Sequence, residues 1–240
     1  MTAGLYDAFA DLVLGAACVA CGRPGRPLCR ECHTDLPVVA APAWPTPTPA
    51  GLAPPYAVGE YADALRALVL RHKEDRLLAL ARPLGELLAV AVRSAVADPA
   101  HRVLLVPVPS RRAAQRQRGY DPTGALVRHA ARVLRGDGRT VDLAPVLRLR
   151  APVQDQAGLG ADQRARNLAG SMWCPSGLVR RHAGVRAQVV VCDDVLTTGA
   201  TAREAQRALE AAGIGVRAIA CVAATRRHKF SANSGTQSLS

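Results

Sequence analysis

The feature that most constrains the fold is the stretch at residues 189–201, Val-Val-Val-Cys-Asp-Asp-Val-Leu-Thr-Thr-Gly-Ala-Thr. Its β-branched run predicts a buried parallel strand, because such strands are covered on both faces and need not alternate polar with apolar side chains. Asp193 and Asp194 come directly after this run, so they lie at the carboxyl end of the predicted strand. Open α/β sheets place their ligand crevice at that end of their strands.

A hydroxyl-rich loop and a helical pattern follow the acidic pair. The loop, residues 197–201, contains three threonines and Gly199, and the helical pattern ends near Gly213. A glycine lets the backbone approach a phosphate closely, and a helix amino end offers unpaired N–H groups with partial positive charge. The two carboxylates would repel a phosphate, so they suit neutral ribose hydroxyls or a Mg²⁺ ion. The stretch therefore predicts a sugar-phosphate site, against the plainer interpretation of a capped helix after a threonine turn.

Composition supports one substantial core with a small appendage. The chain has 240 residues, of which 49% are hydrophobic but only 3% aromatic, so Leu, Val and Ala must build the core. Helices packed on a parallel sheet suit such a core. No apolar run reaches the ~20 residues of a membrane span, and the acidic residues Asp7 and Asp11 argue against a signal peptide. We therefore expect a cytoplasmic protein without a membrane span.

The formal net charge of +12 predicts attraction to polyanions such as nucleic acid or phosphorylated metabolites. An alternative is a bias in genome base composition, because all basic residues except two lysines are arginines. The charge alone leaves both interpretations open.

Two cysteine pairs near the amino terminus have metal-ligand spacing. Cys18 and Cys21 form one Cys-x-x-Cys knuckle, and Cys29 and Cys32 form a second. Two such pairs complete a tetrahedral site for one zinc ion, and four protein ligands leave no open position, so the zinc would be structural. A redox pair or two disulfides are the competing interpretations. The adjacent His33 is either a substitute ligand or a solvated surface residue.

The pattern divides the chain into four parts. Residues 1–36 contain a short amphipathic helix and the cysteine knuckles, and residues 37–55 form a Pro-rich, semi-rigid linker. Residues 56–225 form the α/β domain, and residues 226–240 read as a disordered tail. Within the domain we expect helices over residues 61–96 and 122–134, strands at 103–109 and 216–224, and a polar loop at 153–169.

A basic loop follows the strand at residues 103–109 and points to the same crevice as the acidic pair. Guanidinium groups grip phosphate in a bidentate manner, which suits a pyrophosphate group or a nucleic-acid backbone. A basic turn after the first predicted helix has the same functional interpretation, or is a solvated helix end. The candidate contacts to pyrophosphate or another polyanion are Arg111, Arg112, Arg116, Arg118 and Lys73.

Residues 189–201 resemble the phosphoribosyl pyrophosphate (PRPP) loop of the type I phosphoribosyltransferases. The cysteine knuckles, the Val-Pro-Val-Pro strand, the Arg-Gly-Tyr sequence at 118–120 and the Arg-x-x-Asn sequence at 164–167 extend this likeness. Together they resemble the ComF family of phosphoribosyltransferase-like proteins over nearly all of residues 18–225. Two departures from that family are Asp121-Pro122 where Asn-Gln is usual, and a Pro-rich stretch where many members have a second pair of knuckles.

The resemblance implies a type I phosphoribosyltransferase-like α/β fold, a parallel sheet flanked by helices, with one structural Zn²⁺. It implies binding of PRPP, or another ribose 5-phosphate ligand, with Mg²⁺, an enzyme of pentosyl transfer, and a link to natural competence and DNA uptake. A non-catalytic PRPP or nucleotide sensor that binds single-stranded DNA or a helicase-like competence protein is the alternative. Asp193 and Asp194 would be catalytic. The PRPP-binding residues would be Asp193, Asp194, Val195, Leu196, Thr197, Thr198, Gly199, Ala200 and Thr201.

Overall fold

The described residues contain both helices and strands. A computed structural model describes residues 17–110, 119–150, 170–175 and 187–225. In the described residues the helices are α1 (Arg30–Thr34), α2 (Asp63–Lys73), α3 (Ala81–Ala95), α4 (Pro122–Gly136) and α5 (Ala200–Glu210), with a 3₁₀ turn at Leu78–Leu80. The strands are β1 (Ala41–Pro42), β2 (Pro55–Glu60), β3 (Val103–Pro107), β4 (Val141–Leu143), β5 (Arg148–Leu149), β6 (Met172–Trp173), β7 (Gln188–Leu196) and β8 (Ala218–Ala224).

Six strands form one sheet in the order β1-β2-β8-β7-β3-β4. Every pairing in it is parallel except that of β1 with β2, so the sheet has one antiparallel edge. The central strand β7 pairs Val190 with Leu105 of β3 on one side and Cys192 with Ala220 of β8 on the other. The predicted α/β class is confirmed, with a mostly parallel sheet and flanking helices.

Both faces of the sheet are covered, which explains the uninterrupted apolar run in β7. Val190 and Cys192 point into a core formed mainly with α2, α3 and α4. Val191 points into a second core, which includes Leu209 of α5. Because a core covers each face of the sheet, β7 needs apolar side chains at successive positions.

The Pro-rich residues and the cysteine knuckles pack against this sheet and its cores. Strand β1 places Ala41 opposite Ala57 of β2, and Leu52 is buried in the core beside α5. Val19 and Leu28, from the knuckles, pack against the core on the α3 side. The division into four parts stays a prediction, although these contacts join the first two parts to the sheet.

Three segments are among the expectations from the sequence that lie outside the described residues. They are the amphipathic helix within residues 1–14, the polar loop at 153–169 and the tail at 226–240. Across the part of the chain that the structure does describe, no helix has the length and hydrophobicity that crossing a membrane would require.

The chemistry of Asp121 and Pro122 explains why α4 begins where it does. The Oδ1 atom of Asp121 accepts a hydrogen bond from the backbone N–H of Gly124 at 3.1 Å, which caps the helix. Pro122 takes the first helical position, where its missing N–H removes no hydrogen bond. Asn is an equally good capping residue, so aspartate in place of the asparagine usual in the ComF family preserves this helix start.

Replacement of Asp121 by alanine is expected to lower the free energy of unfolding by about 1 kcal/mol, because the N–H of Gly124 loses its acceptor. Asp121→Asn retains a capping oxygen and is expected to remain close to the wild type. Urea denaturation followed by circular dichroism measures both variants. Equal midpoints for the wild type and Asp121→Ala would contradict a stabilising cap.

Candidate functional site

The acidic pair lies within the last part of β7. The strand continues to Leu196, two residues beyond the pair, because Val195 and Leu196 still pair with Ala223 and Ala224 of β8. Asp194 is buried, with 6% of its surface exposed, and Asp193 is partly buried. The sequence analysis therefore placed the carboxylates at the correct end of the sheet, but it predicted that the strand ends before them, whereas the strand continues to Leu196.

Lys73 reaches the acidic pair from the end of α2. Its Nζ atom donates a hydrogen bond to Oδ2 of Asp194 at 2.7 Å and forms an ion pair with it. Burial, together with the negative charge of Asp194, raises the pKa of Asp193 well above its usual value, and Lys73 opposes this rise. Positive charge from Lys73 thus partly offsets the mutual repulsion of two adjacent carboxylates. The pairing was not foreseen, since the sequence predicted Lys73 only as a polyanion contact.

The loop after the acidic pair leads directly into α5. Thr197 and Thr198 are exposed, and Gly199 is buried in the left-handed conformation, with a φ of 75°. The helix begins at Ala200, and its first backbone hydrogen bond runs from the N–H of Arg203 to the carbonyl of Gly199. The N–H groups before Arg203 therefore have no partner inside the helix, which is the arrangement that binds anions at helix amino ends.

The remaining predicted site residues fall into two groups. Val195 and Leu196 lie in β7, with Leu196 in one core and Val195 packed against the other, while Thr201 is in the first turn of α5. The arginines of the basic loop lie outside the described residues: Arg111, Arg112, Arg116 and Arg118. Among the described residues, the structure brings together Lys73, the acidic pair and the threonine loop along the carboxyl edge of the sheet.

Tyr120 connects the residues after the basic loop to the end of α2. Its hydroxyl donates to the backbone carbonyl of His72, and the two rings make an edge contact with centroids 5.6 Å apart. Because α2 ends at Lys73, that carbonyl lies in the last turn, where carbonyls lack helical partners. Burial lowers the pKa of His72, so its ring is a neutral packing group next to Lys73. Tyr120 thus helps to fix the turn from which Lys73 reaches Asp194.

The four cysteines of the two knuckles form one cluster. Their sulfur atoms all lie within 4.8 Å of one another, and Sγ of Cys21 is 3.8 Å from Sγ of Cys29. Four sulfurs bound tetrahedrally to one zinc ion at about 2.3 Å would lie about 3.8 Å apart. The cluster therefore has the ligand type, number and spacing to bind one zinc ion.

Hydrogen bonds shift the pKa values of the cluster's thiols in both directions: the side chain of Cys29 raises the pKa of Cys32, whereas backbone donors lower that of Cys18. Burial alone raises the pKa of the Cys18 thiol, but backbone N–H groups, that of Cys29 foremost, stabilise the thiolate and lower the pKa to about 6. The thiolate is the form that binds metal. His33 lies beside the cluster but its Nε2 pairs with Oε2 of Glu86 in α3 at 2.7 Å. Of the two interpretations for His33, it is a surface residue, and it joins α1 to α3.

These features define a class of protein. It is an α/β protein whose mostly parallel sheet carries an acidic pair and a helix amino end at its carboxyl edge, and whose amino-terminal region carries a four-cysteine cluster.

Comparison with known proteins points in the same direction. The chain is similar to Competence protein F of Haemophilus influenzae, with 29% identity over 161 residues. The match covers 65% of this chain and 66% of the relative, just under two thirds of its length. This homologue confirms the resemblance that the motifs predicted. No protein-family model matches the chain.

Proposed function

We propose that this chain is a competence-related protein that binds PRPP at the carboxyl edge of its sheet. Support for the first part comes from the name of its homologue, Competence protein F. Support for the second comes from the site. One observation carries it: an acidic pair, a threonine loop with a left-handed glycine and the amino end of α5 follow one another directly at that edge.

Each part of the site suits one part of PRPP. The exposed Thr197 and Thr198 hydroxyls, with the N–H groups at the start of α5 that have no partner inside the helix, would donate hydrogen bonds to the 5-phosphate. Asp193 and Asp194 would accept hydrogen bonds from the ribose hydroxyls. A Mg²⁺ ion bound with PRPP would take oxygen ligands here and neutralise part of the pyrophosphate charge.

Pentosyl transfer is the reaction that this arrangement supports. Loss of pyrophosphate leaves positive charge on the sugar, which the carboxylates would stabilise electrostatically. Cations around the crevice would stabilise the departing pyrophosphate. Lys73 would be one of them, because it already lies at the acidic pair, and arginines at 111, 112, 116 and 118 would be the others. We therefore favour a phosphoribosyltransferase over a binding protein.

The net charge of +12 favours a second candidate function. In this alternative the same pocket senses PRPP or a nucleotide without catalysis, and the basic surface binds single-stranded DNA or a helicase-like competence protein. Aromatic residues make up only 3% of the chain, so contacts to the DNA backbone would supply most of the affinity. Such binding would weaken steeply with added salt, which distinguishes it from an enzyme that ignores DNA.

The proposal is tested by calorimetric titration of PRPP with Mg²⁺ into the full chain. The wild type is expected to bind saturably, and the double variant Asp193→Asn and Asp194→Asn is expected to bind at least about 100-fold more weakly, because each amide lacks the charge that strengthens a hydrogen bond. Asp142→Asn is the matched control, since Asp142 is a carboxylate on another parallel strand of the sheet. Absence of PRPP binding by the folded wild type would overturn both the transferase and the PRPP sensor.

A further inference from the structure

The Pro-rich segment lies against the glycine at the start of α5. A Cβ atom on Gly199 would lie 3.0 Å from Cγ of Pro45, 3.3 Å from Cδ of Pro49 and 3.3 Å from Cδ2 of Leu52. Pro45 and Leu52 are buried, as is Gly199 itself. A side chain at position 199 would therefore press against these three residues, in addition to straining the left-handed backbone. The conformation of the threonine loop and the position of the Pro-rich segment are coupled.

Side chains of α5 hold this segment by its backbone. Gln206 is buried, with 4% of its surface exposed, and its Oε1 accepts a hydrogen bond from the N–H of Ala53 at 2.9 Å. Its Nε2 donates to the carbonyl of Gly51 at 2.9 Å. One turn earlier, Nε of Arg203 donates to the carbonyl of Ala50 at 2.9 Å. The segment is thus fixed to the same helix whose amino end would bind the phosphate.

The chemistry of the segment makes one side of the loop apolar. Proline rings have a fixed φ and no backbone N–H, so Pro45 and Pro49 present a stiff surface without donors. Thr197 and Thr198, in contrast, are exposed. A phosphate can gain hydrogen bonds only from the threonine side, and the apolar side keeps water away from the buried glycine. Loop donors held in place in this way lose little freedom when an anion binds.

We propose that residues 45–53 are the rear wall of the sugar-phosphate loop. Gln206 is the positioning residue that holds this wall against the loop. The inference rests on the proposed function, because it assigns the wall to the 5-phosphate end of PRPP. It also gives the Pro-rich stretch a role in the site, where the sequence predicted a linker.

The test is calorimetric titration of PRPP with Mg²⁺ into full-length variants. Gln206→Leu removes both hydrogen bonds to the rear wall at similar volume, and it is expected to bind PRPP about tenfold more weakly than the wild type. The matched control is Glu204→Gln. Glu204 is also buried in α5, but it accepts from the N–H of Met172 at 2.8 Å and forms an ion pair with Arg207. Its variant is expected to stay within about twofold of the wild type.

The outcomes separate this inference from the proposed function. Wild-type PRPP affinity in Gln206→Leu, or an equal loss of affinity in Gln206→Leu and Glu204→Gln, contradicts the rear-wall inference and leaves the proposed PRPP site unaffected. A wild type that takes up no PRPP overturns the proposed function, and this inference with it. If Gln206→Leu fails to fold, Pro45→Ala replaces it, because that change leaves the hydrogen bonds of Gln206 in place and removes the ring that contacts position 199. It is expected to weaken PRPP binding about threefold, and unchanged affinity would overturn the inference.

Discussion

Serine in place of both Cys18 and Cys29 is expected to abolish zinc binding and to lower the melting temperature by roughly 10 °C. The two residues come from different knuckles and both are buried, so their loss leaves two ligands on the more exposed side of the cluster. Two thiolates do not hold a structural zinc ion. The apolar side chains of Val19, Leu28 and Leu36 pack from this region onto the main core, so release of the metal also loosens the surface of α3.

Zinc content measured by mass spectrometry on the purified full chain, with melting followed by circular dichroism, tests this expectation. The wild type is expected to contain one zinc ion per chain and the double variant none. Cys174→Ser is the control, because Cys174 is partly buried but lies outside the four-cysteine cluster. Zinc retained by the double variant, or an unchanged melting temperature after its loss, would contradict a structural role for the cluster.

Alanine at Gly85 is expected to destabilise the protein by about 2 kcal/mol or more, although glycine is a poor helix former. A Cβ atom there would overlap Cβ of His129 and lie 2.9 Å from the backbone carbonyl oxygen of Leu126. These obstacles belong to α4 itself and cannot rotate away, so α3 and α4 must move apart. Overpacking costs ~1–3 kcal/mol or more, which exceeds the gain of about 1 kcal/mol in helix propensity.

Gly136→Ala, in the same pair of helices, is expected to have no destabilising effect. Gly136 is in α4, and a Cβ atom there would meet nothing within 4 Å. This variant is expected to be as stable as the wild type or slightly more so. Guanidinium chloride denaturation of both variants gives the comparison, and a midpoint for Gly85→Ala at or above that of the wild type would show that the two helices can separate without cost.

The sequence predicted those elements whose signals are local. The apolar run in residues 189–191 indicated a strand with two covered faces, and the pattern after the threonine loop indicated a helix, although that helix already begins at Ala200, inside the predicted loop. The cysteine spacing predicted a cluster, and the four sulfurs do come together. In each case neighbouring residues carry the physical cause, namely periodicity, capping or ligand spacing.

Contacts between distant residues could not be predicted in this way. Strand β2 begins with a proline and contains Gly59, both of which disfavour a strand, and its pairing with β8 overrides that preference. The ion pair of Lys73 with Asp194 joins residues 121 positions apart, and the hydrogen bond of Ala53 to Gln206 joins residues 153 positions apart. Composition indicated that the Pro-rich segment is stiff, but it carries no information about the surface on which a stiff segment packs.

The order of strands in the sheet has a consequence for synthesis of the chain. Strands β2 and β3 are made early, yet both pair with strands made late: β2 with β8, and β3 with β7. While a ribosome makes the chain, these early apolar strands must wait for their central partners, and their unpaired edges remain open to other chains. The central pairings of the sheet therefore form only after β7 and β8 have been made. We expect nascent chains that stop before β7 to associate with chaperones, and chains that extend past β8 to be released from them.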